Sequence, residues 1–247
     1  MFFAHAWVSE SDTGRGADAP NRRDGTEDWV LTDHVEKKAP VRRRKEARPQ
    51  ELTAAALSLF VEKGFSATRL DEVAARAGVS KGTLYLYFDS KEALFLAVIR
   101  EGIVPIIEEG RKLLVAHADD PVRMLREYLF GWWALFGDTE LGGVPKLMTS
   151  EAQNFPEVAQ YYVREVIQPG KALMREVLDR GVAKGVFRQT NSELVTHILM
   201  APLLHLALWR HSFAVCCQVP DMDPAAYLES FFDLVLKGLA VTPEGGK

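Results

Sequence analysis

The sequence predicts an all-α protein in which a small N-terminal helical domain precedes a larger helical one. From Pro49 onward, apolar residues recur at intervals of three and four, which is the spacing of one face of a helix. Glycines and helix-capping Ser, Asp and Pro residues separate these runs at helical lengths. No segment shows the apolar alternation or the hairpin turns that are typical of β-strands, and no internal repeat is present.

The composition is that of a globular protein with an uneven charge distribution. Of the 247 residues, 47% are hydrophobic and 26% are charged, which suits one large domain or two modest ones. The net charge is only −4, but residues 41–92 carry 10 basic and 7 acidic side chains between two acidic flanks. A basic island of this kind fits either a surface that faces phosphates or an ordinary solvated face.

The cysteines and apolar segments point to an intracellular location. Cys216 and Cys217 are adjacent, an arrangement that rarely satisfies disulfide geometry and therefore favours a reducing compartment. The apolar start of the chain is short and has no basic segment before it, so we expect no signal peptide. The apolar stretch 198–209 is shorter than the roughly 20 residues of a spanning helix. We expect a cytoplasmic protein with no membrane partner.

Three regions are expected along the chain. Residues 1–45 form an extension whose Asp-, Gly- and Ser-rich part, 9–40, has no apolar periodicity and is expected to be disordered. This extension ends in the basic run Arg42–Lys45. Residues 46–95 form the first helical domain, and residues 96–247 form the second.

The first domain is predicted to contain three helices followed by the start of a fourth. The first helix begins at Pro49 and ends at Gly64, and the second begins after Thr68 as N-cap and runs to Ala77. A tight turn at Gly78-Val79 precedes a third helix, which Ser80 caps. Leu84 of the third helix is expected to pack inward on Val73 and Leu59, and a fourth helix begins at Lys91 after an Asp89 or Ser90 cap.

The second domain is predicted to be helical throughout. A helix opening at Pro121, capped by Asp119 or Asp120, passes through Phe136 and is broken by Gly142-Gly143. The remaining helices are expected at 157–166, at 169–184 before Gly185, from Ser192 towards Trp209, and at 224–239.

Residues 68–88 have the spacing of a helix-turn-helix, in which a short second helix crosses the first at a steep angle. The major groove of B-DNA accepts the N-terminal end of such a helix. Ser80 leaves free backbone N–H groups there, Lys81 projects from the first turn, and Gly82 allows a close backbone approach. Spacing alone fits a plain helical hairpin equally well, with half-buried tyrosines and an ordinary surface lysine.

A longer pattern resembles a known family. Residues 49–98 resemble the signature of the TetR (tetracycline-repressor-type) family of bacterial transcriptional regulators. The residues that carry the resemblance are Gly64-Phe65, Thr68, Val73-Ala74, Gly78–Tyr85, Tyr87-Phe88 and Ser90–Leu94. The resemblance implies a three-helix DNA-binding domain, a larger ligand-sensing domain, and a homodimer on a palindromic or near-palindromic DNA operator.

The resemblance, together with the cap position, also gives candidate DNA contacts. They are Thr68, Arg69, Ser80, Lys81, Gly82, Thr83, Tyr85, Tyr87 and Lys91, with Arg43 and Arg44 of the basic run as a possible minor-groove or phosphate arm. Arg69 occupies a position where many members have Ser or Thr, so its phosphate contact would be ionic rather than a hydroxyl hydrogen bond.

Two functions are expected of the second domain. The last two helices are rich in apolar residues that form either an interface with a second copy or intramolecular core: Leu199, Leu203, Leu206, Phe231 and Val235. Candidate lining residues for a small-molecule pocket, which could equally be core, are Trp132, Trp133, Phe136, Met148, Phe155, Tyr162, Met174 and His205. The effector is expected to be apolar or aromatic. No zinc-type cluster occurs in the sequence, His205 is interpreted as a core histidine, and no cofactor is expected.

An enzyme or a helical adaptor fits the sequence less well than a regulator. Tyr87 and Lys91 have the Tyr-x-x-x-Lys spacing of short-chain dehydrogenases, but the glycine-rich phosphate loop of those enzymes is absent from the sequence. A helical adaptor would not need Lys81, Thr83, Tyr85 and Lys91 together. The sequence therefore predicts a non-enzymatic regulator, a repressor in the first instance and an activator as the alternative. In this hypothesis the fourth helix, Lys91 to about Glu109, acts as a lever that releases DNA when the effector binds.

Overall fold

The computed structural model describes residues 48–217 and 222–241, and within these ranges the chain is almost entirely helical. The β-type pairing in these ranges consists of one isolated antiparallel bridge, between Phe187 and Ala240. The all-α prediction is therefore confirmed. The expected disordered segment 9–40 and the basic run with Arg43 and Arg44 lie outside the described residues. The α-helices are α1 (Arg48–Lys63), α2 (Leu70–Arg76), α3 (Lys81–Tyr85), α4 (Lys91–Val98), α5 (Val104–Ala116), α6 (Pro121–Trp132), α7 (Val144–Glu151), α8 (Pro156–Tyr162), α9 (Gln168–Ala183), α10 (Ser192–His211), α11 (Phe213–Cys216) and α12 (Pro224–Leu239).

Most helix ends lie where the capping residues predict them. Gly64 and Gly78 have φ values of 90° and 66°, which L-residues with a side chain adopt only at a cost. The Ser80 and Ser90 hydroxyls accept the N–H groups of Thr83 and Ala93, and Asp120 caps α6.

The expectation for the start of α2 is wrong. Arg69, not Thr68, is the N-cap residue, and its backbone N–H donates to the Glu72 carboxylate at 3.2 Å. The Thr68 hydroxyl instead points inward and donates to the carbonyl oxygens of Gly64 and Leu59.

An aromatic cluster forms the centre of the N-terminal core. The ring centroids of Phe60, Phe65 and Phe95 lie 5.1 to 5.3 Å apart, and Leu84 of α3 is buried in the same core. Phe155, just before α8, packs edge-on against Phe65 at 4.6 Å. This core therefore joins the helix-turn-helix to α7 and α8. The short helix α3, called the reading helix below because it is the helix predicted to contact DNA, packs through Leu84 into a core built from both parts of the chain.

Three five-residue π-helical turns join α-helices into longer runs. Ile99–Ile103 connects α4 to α5, Trp133–Gly137 extends α6, and Val163–Ile167 connects α8 to α9. The helices predicted separately at 157–166 and 169–184 are therefore one continuous run, and the predicted boundary at residues 95 and 96 falls inside another. Such turns widen a helix locally and are frequent at functional sites.

The segment after the second π-turn differs from the prediction. The helical run ends at Gly137, before Gly142-Gly143, which lie in a 3-10 turn spanning Glu140–Gly143. Helix α7 follows and was not predicted. Both glycines are tightly packed: a Cβ on Gly143 would lie 2.6 Å from the Val61 side chain of α1.

Helix α10, Ser192–His211, lies where the sequence predicts a helix from Ser192 towards Trp209. The run Ser192–Cys216 is long and apolar enough to cross a membrane by length and composition, although one such helix is weak evidence of a span. Leu199, Leu203 and Leu206 are buried inside the chain. They are therefore core residues, and their prediction as dimer contacts is wrong because the helix packs the opposite face outward.

Candidate nucleic-acid interface and ligand cavity

The N-terminal end of α3 is pre-formed and open to solvent. The Ser80 hydroxyl accepts the Thr83 N–H at 3.1 Å and lies 2.8 Å from the Thr83 hydroxyl, so both side chains are held in one orientation. Gly82 follows in the first turn, and a Cβ placed on it would have the Ser80 Oγ, at 3.8 Å, as its one neighbour within 4 Å. Nothing inside the described chain therefore requires a glycine at this position.

Two cations flank this end of α3, and one carboxylate organises them. The Lys81 ammonium lies 2.8 Å from Asp71 and the Arg69 guanidinium 3.7 Å from it. The hydrogen bond from Lys81 lowers the pKa of Asp71, and the same hydrogen bond raises the pKa of Lys81. Both cations stay solvent-exposed, so Asp71 orients them without removing them from reach of a phosphate.

The C-terminal end of α3 presents three exposed side chains in a row, Tyr85, Leu86 and Tyr87. The tyrosines lie on the surface as predicted, and the Lys81 ammonium lies 5.9 Å from the centre of the Tyr85 ring. Leu86, which is 82% exposed, was missed. The spacing of the sequence could have predicted its exposure, because Leu84 and Phe88 are the inward positions of this segment and Leu86 lies between them on the opposite face.

Two predicted DNA contacts have to be corrected. Thr68 is 2% exposed and its hydroxyl is engaged inside the domain. The Lys91 ammonium donates to the carbonyl oxygens of Phe65, Ser66 and Thr68 at 2.7, 3.0 and 3.1 Å. Burial lowers the pKa of Lys91, and all three of its N–H donors are engaged. Both side chains fix the loop before α2, and their hydrogen-bond donors are already engaged within the chain.

Glu151, at the end of α7, holds the same loop from the other side. Its carboxylate accepts the backbone N–H and the hydroxyl of Ser66, at 3.2 and 2.7 Å, and the side-chain amide of Asn154 at 3.0 Å. The hydrogen bonds from Asn154 and Ser66 lower the pKa of Glu151. The loop is thus bound by α4 through Lys91 and by α7 through Glu151, and sequence reasoning identified neither role.

A cavity of about 490 Å³ lies among α5–α10, which is the size of a small-molecule site. Each of the three π-turns contributes to its wall, through residues such as Ile103, Phe136 and Val166. Half of the predicted lining residues are found there: Trp132, Phe136, Met148 and Tyr162. The remaining four are placed elsewhere.

The four misplaced lining residues have clear structural reasons. Trp133 and Met174 belong to a second hydrophobic core, and Phe155 packs on Phe65. His205 is exposed, with its ring 6.3 Å from that of Trp209, so the interpretation as a core histidine is wrong. Helical periodicity distinguishes inward from outward faces but does not distinguish a packed core from a cavity wall.

Metal and redox chemistry find little support in the described residues. No group of three or more His, Cys, Asp or Glu side chains close enough to hold a metal ion occurs in 48–217 or 222–241. Cys216 and Cys217 are exposed, and their mutual hydrogen bond raises the pKa of Cys217, which makes it a weaker nucleophile.

A pre-formed helix-turn-helix with exposed cations and a ligand-sized cavity in one chain define a helix-turn-helix transcriptional regulator. Residues 52–98 match the bacterial regulatory proteins of the tetR family, and residues 118–215 match the tetracyclin repressor-like C-terminal domain. The chain belongs to the TetR family.

Curated relatives agree with this assignment. The chain is 30% identical over 133 residues to the HTH-type transcriptional regulator RutR of Escherichia coli. The matched residues make up 53% of this chain and 53% of RutR, so the chain spans about half the length of that relative. It is 25% identical over 213 residues to the HTH-type transcriptional repressor NicS of Pseudomonas putida, covering 82% of this chain and 98% of NicS.

The fold is shared with solved structures. The transcriptional regulator FadR of Bacillus subtilis, solved in complex with stearoyl-CoA, superposes with a TM-score of 0.63 at 20% identity, covering 77% of this chain and 98% of that one.

Gly82 provides a direct test of the nucleic-acid interface. We expect Gly82→Ala to weaken binding to operator DNA by about tenfold or more, because a methyl group would separate the backbone from the groove. Stability should be unchanged or raised by up to about 1 kcal/mol, since alanine favours a helix and meets open space. Fluorescence anisotropy with labelled DNA and urea unfolding of the same sample measure both; undiminished affinity would contradict the proposed geometry.

Proposed function

We propose that this protein is a dimeric transcriptional repressor that an apolar small molecule releases from DNA. The observation that carries the proposal is that helices α4 and α7 each take part in two sites, the loop at residues 64–69 and the cavity. Both helices hold this loop, which precedes α2, the first helix of the helix-turn-helix, and both lead to the wall of the cavity. NicS is named a repressor and the FadR structure holds an acyl-CoA, which supports this choice of mechanism and of an apolar effector.

The proposed DNA contacts divide by chemistry. Arg69 and Lys81 face phosphates, and the backbone at Ser80 and Gly82 approaches the DNA closely. Thr83 and Tyr85 face base edges. Leu86 adds an exposed apolar side chain that suits a thymine methyl group or a sugar.

The test of DNA binding is the salt dependence of a charge-removing variant. We expect wild-type protein to bind the promoter region of its own gene with an affinity that falls steeply with salt. Lys81→Gln should weaken binding on all sequences alike and reduce the salt slope by about 1, because one phosphate contact is lost. Lys112→Gln is the control, since Lys112 is also an exposed lysine paired with a carboxylate, Glu109, but lies on α5. A wild-type protein without sequence-specific, salt-dependent binding would refute the proposal.

The dimer is proposed to form through the outward faces of α10 and α12. Leu194 and Ile198 on α10 and Leu234 on α12 are large apolar side chains exposed to solvent. Phe231 and Val235, two of the predicted interface residues, are partly buried and border this surface. Pairing α10 and α12 with their symmetry mates would cover it as a four-helix interface. This also accounts for the apolar character of α10 without a membrane, in keeping with a cytoplasmic regulator.

The dimer proposal predicts a monomer when this surface is charged. We expect the double variant Ile198→Glu and Leu234→Glu, at positions 65% and 70% exposed, to run as a 27.6 kDa monomer in light scattering. Wild type and the control Val115→Glu, an exposed apolar position on α5, should have twice that mass. A dimer that survives both charges would place the interface elsewhere.

The release mechanism is proposed to act on the loop at residues 64–69. The continuous run from α4 to α5 carries Lys91 at one end and Ile103 at the cavity. Helix α7 likewise carries Met148 in the cavity wall and Glu151 on the loop. An effector that prefers a different spacing of these helices would move the loop and with it α3.

The Glu151 contact predicts a pH-dependent stability. Because its folded-state pKa lies below the ordinary value of 4.5, Glu151 stabilises the fold fully at neutral pH, and this contribution is lost as the pH falls through the folded-state pKa. We expect Glu151→Gln to lower the free energy of unfolding by about 1–2 kcal/mol at pH 7, with a smaller difference at acidic pH. Urea unfolding at several pH values measures this. The control is Glu108→Gln, an exposed carboxylate on α5; equal pH profiles for both variants would contradict the role of Glu151.

A further inference from the structure

The polar side chains in the cavity wall are few, and most are already engaged. Tyr128 donates its hydroxyl hydrogen to the Gly170 carbonyl oxygen at 2.9 Å. The hydroxyls of Thr149 and Thr196 donate to carbonyl oxygens within their own helices. These three groups therefore have no hydrogen left to offer a ligand.

Tyr162, at the end of α8, is the buried exception; His197 also lines the cavity, but its side chain is 62% exposed and its Nε2 lies 3.7 Å from Glu193. Tyr162 lines the cavity and is 7% exposed, yet no group in the described part of the chain accepts its hydroxyl hydrogen. The Tyr162 hydroxyl is not fully enclosed by the protein either. In 48–217 and 222–241, the one fully enclosed side-chain polar atom without a hydrogen-bond partner is the Nε1 of Trp209. The remaining access of the Tyr162 hydroxyl is therefore into the cavity. Burial raises the pKa of Tyr162, so the hydroxyl stays a donor at neutral pH.

The charged groups at the cavity disfavour an anionic ligand. Lys171 is 15% exposed, and its ammonium already pairs with Glu193 at 2.7 Å. Glu127 also borders the cavity, and its carboxylate lies 3.8 Å from Arg123. A ligand carboxylate would have to displace Glu193 from Lys171, at a cost that no unpaired Lys or Arg among the described lining residues offsets.

We infer that the effector is an apolar molecule with an uncharged acceptor oxygen, such as the carbonyl of a ketone, ester or thioester, which the Tyr162 hydroxyl binds. This inference rests on the proposed function and specifies its ligand. A buried hydroxyl gains most from a partner that the protein itself does not supply. Tyr162 selects carbonyl compounds over hydrocarbons of the same shape, and the surrounding aliphatic and aromatic wall binds the apolar body.

The test compares two isosteres in a double-mutant cycle. 2-Undecanone and 2-methyl-1-undecene differ in the replacement of C=O by C=CH₂, and both compete with the fluorescent apolar probe N-phenyl-1-naphthylamine. We expect Tyr162→Phe to reduce the ketone-to-alkene affinity ratio by about three- to tenfold, the size of one hydrogen bond. Tyr128→Phe is the matched control from the same wall; it should leave the ratio within about twofold, because its hydroxyl is committed to Gly170.

The other outcomes overturn the inference in distinguishable ways. An unchanged ratio in Tyr162→Phe, with the probe and DNA still bound, would remove the Tyr162 contact and leave the proposed function intact. Stronger binding of decanoate than of the ketone, with this advantage lost in Lys171→Met, would show that the cavity takes an anion. No displacement by any compound would overturn both this inference and the effector half of the proposed function, while DNA binding would be judged separately.

Discussion

The path of the loop before α2 depends first on one ammonium group. Lys91 closes the loop before α2 by binding three carbonyl oxygens that no helix satisfies, and its ammonium lies 4.7 Å from the centre of the Phe65 ring. Buried carbonyl groups without donors are costly, so the loop has little freedom to adopt another path. Because Lys91 begins the helix that continues to the cavity, the position of the loop is tied to the position of that helix. The proposed DNA-facing surface and the cavity are therefore connected through one continuous helical run.

The local signals in the sequence predicted the first domain well. Ser80, Ser90, Gly64 and Gly78 act through their own backbone and nearest neighbours, so their effects can be read from short windows. Thr68 shows the limit of that reading. Its pattern fits a cap, but in the fold the Thr68 hydroxyl donates to the Gly64 carbonyl, and the Glu72 carboxylate accepts the N–H of Arg69 at the start of the helix.

The second domain was predicted less well, for a different physical reason. Helical periodicity identifies an apolar face, but α10 has apolar residues on both faces, and the sequence does not show that Leu199 packs inward while Ile198 faces solvent. The π-turns have no sequence signature of their own, because each replaces one hydrogen-bond register by another within a continuous helix. Glu151 binds Ser66, which lies 85 residues away in the sequence, so this role could not be predicted from a short window.

The close packing of Gly143 against Val61 has an evolutionary consequence. The Val61 side chain of α1 packs directly on the Gly143 backbone in the turn before α7, so a larger residue at position 143 would force Val61 or the turn to shift. The cavity wall, by contrast, is contributed by side chains of six helices and three π-turns, which can change one at a time. Residues of the wall can therefore be substituted while the packing of Val61 on Gly143 stays the same. In the proposed mechanism, an arrangement of this kind lets one inherited switch be adapted to many chemical signals.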